Sequence, residues 1–148
     1  MAKRWSKSSY GKSALSAKFS VSGMDEFLAK IEKSGKNVDE TCKKAINEAL
    51  PIVENSMRTG AERHRLTGDV VNALQVVEAK QQGNLIYAEV GIKLDEHPEA
   101  FEAVFQEYGD GHSPEFPDPF IRPAVDDNKK QINATIKKVL HKEGMPIE

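Results

Sequence analysis

Residues 107–124 read EYGDGHSPEFPDPFIRPA and join the end of one predicted helix to the start of another. Prolines fix φ and remove amide donors, and glycines permit backbone angles that other residues avoid. We therefore expect a loop of defined shape, ending in a hydrophobic anchor that docks the last helix. A stiff loop held at both ends suits binding better than chemistry. Its candidate interaction residues are Tyr108, Gly109, Asp110, Gly111, Pro114, Phe116, Pro119, Phe120 and Arg122.

Helices are predicted on both sides of this stretch. Pro98 suits a first helical position, and apolar residues follow at helical spacing until Gly109 stops the helix. Beyond the loop, Pro123 begins a final helix that Gly144 ends. The first apolar stripe comprises Ala100, Phe101, Val104, Phe105 and Tyr108, and the second comprises Ile121, Val125, Ile132, Ile136, Val139 and Leu140.

The strongest helix signal begins after Asn37, which can cap a helix, with Glu40 three residues later as in a capping box. Pro51 falls inside the pattern and lacks an amide, so the helix either bends there or restarts. We expect a bent continuation, because the apolar stripe continues past it. Residues 58–65 are polar and predicted to be exposed or mobile. The stripe comprises Val38, Cys42, Ala45, Ile46, Ala49, Leu50, Val53 and Met57.

Strands are predicted where apolar and polar residues alternate. Residues 17–22 alternate and predict a short strand, followed by a short helix over residues 24–34. A second short helix is expected over residues 67–74. Residues 75–80 and 85–92 then form a β-hairpin around a glycine-containing turn. The predicted fold class is α+β, with a small antiparallel sheet packed against a long kinked helix and a C-terminal helix.

The length of 148 residues predicts one domain over residues 17–148, preceded by a flexible arm over residues 1–16. No apolar run approaches the roughly 20 residues that cross a bilayer, so no membrane association is expected. Cys42 is the single cysteine, so an intramolecular disulfide is impossible, which fits a reducing compartment such as the cytoplasm.

Charge is distributed unevenly along the chain. Five basic residues and no acidic residue precede Asp25, although the formal net charge of the whole chain is −2. A basic arm on an acidic body could contact nucleic acid or an acidic partner. The alternative is a solubilising terminus without a partner. The candidate contact residues of the arm are Lys3, Arg4, Trp5, Lys7 and Lys12.

Enzymatic chemistry has little support in the sequence. The four histidines show no i, i+4 spacing of a helical metal site, and no cofactor motif or nucleophile motif is present. We therefore expect no catalytic residues, metal or cofactor. A metal-dependent hydrolase stays an alternative because four carboxylates lie near one loop. Those carboxylates belong to Glu107, Asp110, Glu115 and Asp118.

Arg122 stands at the predicted start of the last helix, between Ile121 and Pro123. It could pair with Asp126 four residues later, in a surface pair of small energetic value. It could instead fix the loop or a neighbouring chain through a bidentate bond to a carboxylate. A structural role is expected in either case.

Several blocks together resemble the tail-completion or neck proteins of long-tailed bacteriophages. The blocks are Thr67-Gly68 followed by apolar residues, a β-hairpin, Glu107-Tyr108-Gly109, and Pro119-Phe120-Ile121-Arg122-Pro123-Ala124 ahead of a terminal helix. The resemblance covers about residues 20–141, and its last block is the most specific. The chain departs from the family pattern at residues 69–71, where a leucine-rich stretch is common, and in its longer loop over residues 109–119.

This resemblance implies a structural virion protein rather than an enzyme, made in the host cytoplasm from a phage or prophage gene. It would act at the head–tail junction or in completing the tail, as a homo-oligomeric ring, often a hexamer. Its partners would be itself and other neck, connector and tail proteins, with double-stranded DNA passing through the junction. The alternative is a small DNA-binding or regulatory module that uses the basic arm.

Overall fold

The computed structural model describes residues 14–19, 37–83 and 85–144. The helix predicted over residues 24–34 lies outside these ranges, as does the basic part of the arm over residues 1–13. The division of the chain into an arm and a domain therefore stays a prediction.

One antiparallel sheet contains strands β1 (Ala14–Phe19), β2 (Gln75–Gln82) and β3 (Leu85–Lys93), in the order β1-β3-β2. β2 and β3 form the predicted hairpin, which is confirmed. Alternate residues of β3 face the core, as the sequence pattern indicates. β1 begins three residues before its predicted start, and Ala14 lies opposite Lys93. The buried residues of β3 include Ala88, Val90 and Ile92.

The long helix α1 (Val38–Glu62) packs across this sheet. The Asn37 side chain accepts a hydrogen bond from the Glu40 amide at 3.3 Å, so the predicted cap is present. The helix continues through Pro51 without restarting, which confirms the predicted continuation; a bend at this point stays a prediction. The whole predicted apolar stripe, from Val38 to Met57, is buried.

Residues 58–65 are only in part the exposed segment that their polarity predicts, since Thr59, Glu62, Arg63 and Arg65 are exposed. α1 extends through Glu62, and both Gly60 and Ala61 are buried. Arg63 and His64 then bond to Asp118, which lies more than fifty residues later in the chain. The sequence did not predict the buried positions or the bonds to Asp118, because local composition cannot reveal partners that are distant in sequence.

A short helix α2 (Asp69–Ala73) precedes the hairpin, close to its predicted position. β2 contains an irregularity between Val77 and Lys80, where its pairing with β3 shifts register. The amide of Ala79 donates to the Asn47 side chain of α1 at 2.7 Å. A polar group of the long helix thus satisfies a backbone donor in this irregular segment, which helps to fix the hairpin on α1.

After β3, a 3-10 helix (Pro98–Ala100) leads into α3 (Glu102–Tyr108), and Gly109 ends the helix as predicted. Of the predicted apolar stripe, however, only Ala100 and Val104 reach the core. Ala103, Gln106 and Glu107 are buried, whereas Phe105 and Tyr108 are exposed. The reason is that the Glu107 carboxylate supplies acceptors to buried amides of the following loop, and this requirement sets the rotation of the helix.

The C-terminal region forms two helices instead of one. α4 (Arg122–Asp126) is followed by a turn at Asp127 and Asn128, and α5 (Lys129–Lys142) then packs against α1. The side chain of Asn128 donates to the Ala124 carbonyl at 2.9 Å and so satisfies the C-terminal end of α4. The predicted stripe still reaches the core, through Ile132, Ile136 and Leu140.

The described elements form an α+β fold in which a small antiparallel sheet and the C-terminal helix pack against a long helix, as predicted. Their side chains form one apolar core between α1, the sheet and α5. None of the helices in the described ranges combines the length and the hydropathy needed to cross a bilayer.

Candidate docking surface

Residues 109–121, here called the proline loop, are fixed to the helix before them by Glu107. This side chain is buried, and its Oε2 accepts hydrogen bonds from the amides of Phe120 and Ile121 at 2.9 and 3.0 Å. Its Oε1 accepts from the amide of Arg122 at 3.3 Å and from the Arg122 Nε at 3.1 Å. A carboxylate from α3 therefore caps the first turn of α4, where helices favour negative charge and have free amides.

The C-terminal part of the same loop is also fixed to α1, through Asp118. Arg63 donates from Nε and from one terminal nitrogen to the two carboxylate oxygens of Asp118, at 2.8 and 2.9 Å, and also to the Pro119 carbonyl at 3.3 Å. The His64 Nε2 lies 2.8 Å from the same carboxylate. The hydrogen bond from Arg63 is the main reason that the pKa of Asp118 lies below its ordinary value.

The backbone of α1 approaches the proline loop most closely at Gly60. A Cβ atom at this position would lie 2.4 Å from the Cβ of Phe120, so only glycine fits. The Gln106 side chain donates to the Gly60 carbonyl at 2.7 Å, and the amide of Asp118 donates to the Gln106 carbonyl at 2.8 Å. This glycine was not identified from the sequence, because only the tertiary contact distinguishes it from an ordinary helical glycine.

The tip of the proline loop is shaped by its own side chains. The Asp110 carboxylate accepts hydrogen bonds from the amides of His112 and Ser113, both at 2.8 Å, and from the Ser113 hydroxyl at 2.6 Å. These bonds, led by that of the hydroxyl, lower the pKa of Asp110 from its ordinary 3.8 to about 2. Phe116 contacts the His64 ring at 4.8 Å between centroids, so the tip also contacts the end of α1.

The predicted interaction residues differ in their exposure and in their contacts. Phe120 is buried in the core and serves as the predicted anchor, so it is not part of a surface for partners. Arg122 pairs with Glu107 through a single side-chain nitrogen, not with Asp126. Gly111 and Pro114 are exposed at the tip. Tyr108, at the end of α3, is also exposed. The remaining predicted residues are partly buried, namely Gly109, Asp110, Phe116 and Pro119.

A row of aromatic side chains lies on the outer side of α3. Phe101, Phe105 and Tyr108 are 53%, 40% and 50% exposed, and their i, i+4, i+7 spacing places them on one side of the helix. The rings of Phe101 and Phe105 meet edge to face at 5.5 Å, and the Arg122 guanidinium lies 5.5 Å from the Tyr108 ring centre. We call these three residues the aromatic face.

The aromatic face lies within the most acidic part of the chain. Residues 94–121 contain no lysine or arginine, and their exposed carboxylates include those of Glu99 and Glu102, which flank Phe101 and lie near the face. The whole acidic set of this segment is Asp95, Glu96, Glu99, Glu102, Glu107, Asp110, Glu115 and Asp118. A surface that combines aromatic rings with negative charge favours cationic, partly apolar ligands.

The carboxylates of the hydrolase alternative do not converge on a common point. Glu107, Asp110 and Asp118 each accept hydrogen bonds from the chain itself, and Glu115 is exposed. Within the described ranges, no three histidine, cysteine or acidic side chains are grouped to hold a metal ion. The geometry therefore gives Glu107, Asp110 and Asp118 a role in shaping the loop.

The candidate contact residues of the basic arm, Lys3, Arg4, Trp5, Lys7 and Lys12, all lie outside the described residues. Their contact with DNA or with another chain therefore stays a prediction.

Comparison with protein families identifies a related family. A family model described as "Bacteriophage HK97-gp10, putative tail-component" matches residues 25–109, more than half of the chain. The matched range includes Thr67-Gly68, the hairpin and Glu107-Tyr108-Gly109, whereas the block at residues 119–124 lies beyond it. Neither the curated proteins nor the solved structures give a match. The match confirms the resemblance to phage tail proteins, and the chain belongs to the HK97-gp10-like family of bacteriophage tail components.

Proposed function

We propose that the protein is a structural subunit that completes the phage tail at the head–tail junction. It assembles there into a ring of identical copies, with six as the expected number, and it contacts neighbouring neck, connector and tail proteins. Its place is the virion after assembly and the host cytoplasm before it, and its gene belongs to a phage or prophage. Membership in a family of tail components supports a structural role in the tail.

The observation that carries this proposal is the aromatic face beside a fixed loop. Half-exposed aromatic side chains are enriched at protein interfaces, because they offer large contact area at low entropic cost. The described residues leave about half of each of these side chains exposed. The C-terminal part of the proline loop next to them is held by Glu107 and Asp118, and its tip is held by the hydrogen bonds of Asp110, so little ordering entropy is lost when a partner binds.

A closed ring requires two different surfaces on each subunit. In such a heterologous contact, one surface of each copy meets the other surface of the next copy, and the rotation closes the ring. The aromatic face and the proline loop supply one of these surfaces. The other surface lies elsewhere on the same chain.

The experiment measures the mass of the purified full-length chain in solution and images it by negative stain over a range of protein concentrations. We expect a closed ring with a defined number of copies. Antibody labelling of intact phage particles should then place the protein at the junction between head and tail. A chain that stays monomeric at all concentrations, or labelling confined to the distal tip of the tail, would contradict the proposal.

A matched pair of variants connects this experiment to the aromatic face. Phe105→Gln removes a half-exposed ring from the face, and Leu85→Gln removes a half-exposed apolar side chain at the end of the hairpin. Only the first variant should weaken ring formation, while both should keep the far-ultraviolet circular dichroism of the parent. Equal effects of the two variants would show that general surface hydrophobicity, and not this face, drives association.

A further inference from the structure

We infer that the aromatic face binds the basic N-terminal arm, residues 1–13, of a neighbouring copy of the chain. This inference rests on the proposed ring and names the second surface that such a ring requires. The arm would lie across α3 with the Trp5 side chain against the aromatic rings. Its basic side chains would face the acidic residues around them.

The arm and the segment that carries the aromatic face have opposite charge. The arm contains Lys3, Arg4, Lys7 and Lys12 and no acidic residue, whereas residues 94–121 contain eight acidic residues and no lysine or arginine. Two of the eight, Glu107 and Asp118, already pair with Arg122 and Arg63, so the negative charge that faces the arm comes chiefly from exposed carboxylates such as those of Glu99 and Glu102. Complementary charges steer two surfaces together and select against wrong partners. The arm and residues 94–121 therefore attract each other, whereas two copies of the same segment repel each other.

The aromatic face can bind both of the side-chain types that the arm offers. Its rings accept cations over their faces and pack against other aromatic side chains. Arg122 already lies 5.5 Å from the Tyr108 ring centre, which shows that a guanidinium can contact this surface. The arm places Arg4 directly beside Trp5, so one short segment supplies both a cation and a large aromatic ring.

The length of the arm also fits this contact. The arm ends at Ala14, where β1 begins at an edge of the sheet. Thirteen extended residues span at most about 45 Å, and a compact chain of this length is about 40 Å across. The arm can therefore cross to an adjacent subunit. The aromatic face itself is only about 10 Å long, a distance that three or four extended residues of the arm cover.

The test uses the fluorescence of Trp5, which is the only tryptophan of the chain and so reports on the arm alone. Emission is recorded from the full-length protein across the concentration range in which rings form. We expect the emission to shift to shorter wavelength as rings form, because the indole leaves water. In Phe105→Gln at a concentration where rings persist, and in 1 M salt, the shift should be reduced; in Leu85→Gln it should be retained.

Charge exchange gives a second, independent readout. K3E/R4E/K7E and E99K/E102K should each weaken association by about tenfold or more, equivalent to about 1.4 kcal/mol. The two sets combined in one chain should restore most of that loss. Glu78→Lys, on the exposed side of β2, is the control and should not rescue the first set.

Cross-linking decides which copy supplies the arm. A photoreactive benzophenone side chain in place of Trp5 is activated in rings mixed from ¹⁵N-labelled and unlabelled chains. We expect cross-links to residues 101–108 that join a labelled to an unlabelled chain. Cross-links confined to one chain, or cross-links to other surfaces, would overturn the inference.

The failures of the two proposals can be told apart. Rings in which Trp5 keeps the emission of a solvated indole would overturn this inference and leave the proposed function intact. Absence of rings under all conditions would contradict the proposed function itself. A Trp5 shift that appears only when duplex DNA is added, and that falls steeply with salt, would assign the arm to DNA instead.

Discussion

Glu107 is the residue on which the conformation of the proline loop most depends. A buried carboxylate that accepts three amide hydrogen bonds and one from a guanidinium cannot be replaced by an isosteric amide without loss. In Glu107→Gln, the NH₂ group would face N–H donors and leave at least one of them without an acceptor. We expect the free energy of unfolding to fall by about 2–4 kcal/mol in urea denaturation.

The matched control for this substitution is Glu102→Gln, one turn earlier on α3 and exposed. In a dilute, dissociated sample it should change the free energy of unfolding by no more than about 0.5 kcal/mol. Similar losses in Glu107→Gln and Glu102→Gln would show that the carboxylate does not hold the loop.

Gly60 gives a second prediction at the residue scale. Alanine is the better helix former by about 1 kcal/mol, so helix propensity alone predicts that Gly60→Ala stabilises the protein. The added methyl group would, however, meet the Phe120 Cβ at 2.4 Å. We expect a net destabilisation of about 1–3 kcal/mol, measured by thermal and urea unfolding. Asn55→Ala, exposed on the same helix, should be neutral or stabilising, and a stabilised Gly60→Ala would refute the close approach.

Asp110 gives a prediction for pH dependence. Its pKa is about 2 in the folded chain, below the ordinary 3.8, chiefly because of the Ser113 hydroxyl. Its contribution to stability is therefore complete above the unfolded pKa of about 4 and is lost as the pH falls towards 2. Carboxyl ¹³C titration should find this low pKa, and Ser113→Ala should raise it. A wild-type value near 4 would show that the turn at the loop tip does not form in solution.

At the scale of elements, the sequence pattern predicted the hairpin and α1 because their periodicity repeats over many residues. It did not predict which side of α3 is buried, because two competing signals lie on this short helix. Hydrophobicity favours an inward position for Phe105, whereas the hydrogen bonds of the following loop require Glu107 inside. The second requirement determines the structure, and nothing local in the sequence reveals it.

The orientation of α3 can be tested by two substitutions on its opposite sides. Ala103 is completely buried, so Ala103→Leu should overpack the core and cost about 1–3 kcal/mol. Phe105→Ala removes a ring that is 40% exposed and should cost about 1 kcal/mol or less in a dilute, dissociated sample. The measurement is urea unfolding of both variants at low protein concentration. A larger loss for Phe105→Ala than for Ala103→Leu would mean that the helix is rotated the other way.

The end of α1 shows the same limit of sequence reasoning. Arg63 and His64 looked like an exposed polar segment, and the acidic residue that binds them is part of a loop more than fifty residues away. The anchor role of Phe120, by contrast, could be predicted, because a large apolar side chain in a polar, proline-rich loop is stabilised by burial in the core. Long-range ion pairs are thus the part of the site that pattern analysis misses.

At the scale of the whole molecule, the ring proposal predicts that fold and assembly depend on separate parts of the chain. Deletion of residues 1–12 removes the basic arm but keeps β1, which begins at Ala14 and pairs with β3. We expect the melting temperature of the dilute protein to stay within about 2 °C and ring formation to require higher concentrations. Analytical ultracentrifugation and thermal unfolding measure the two properties, and an unchanged association constant would contradict the prediction.

The buried thiol has a practical consequence for all of these experiments. Cys42 is the single cysteine, and burial raises its pKa to about 11, so almost no reactive thiolate is present at neutral pH. A maleimide dye will therefore label one cysteine introduced at a chosen surface position of the native protein and leave the natural one unmodified. The slow rate at which Cys42 itself is labelled then measures how often the core opens transiently.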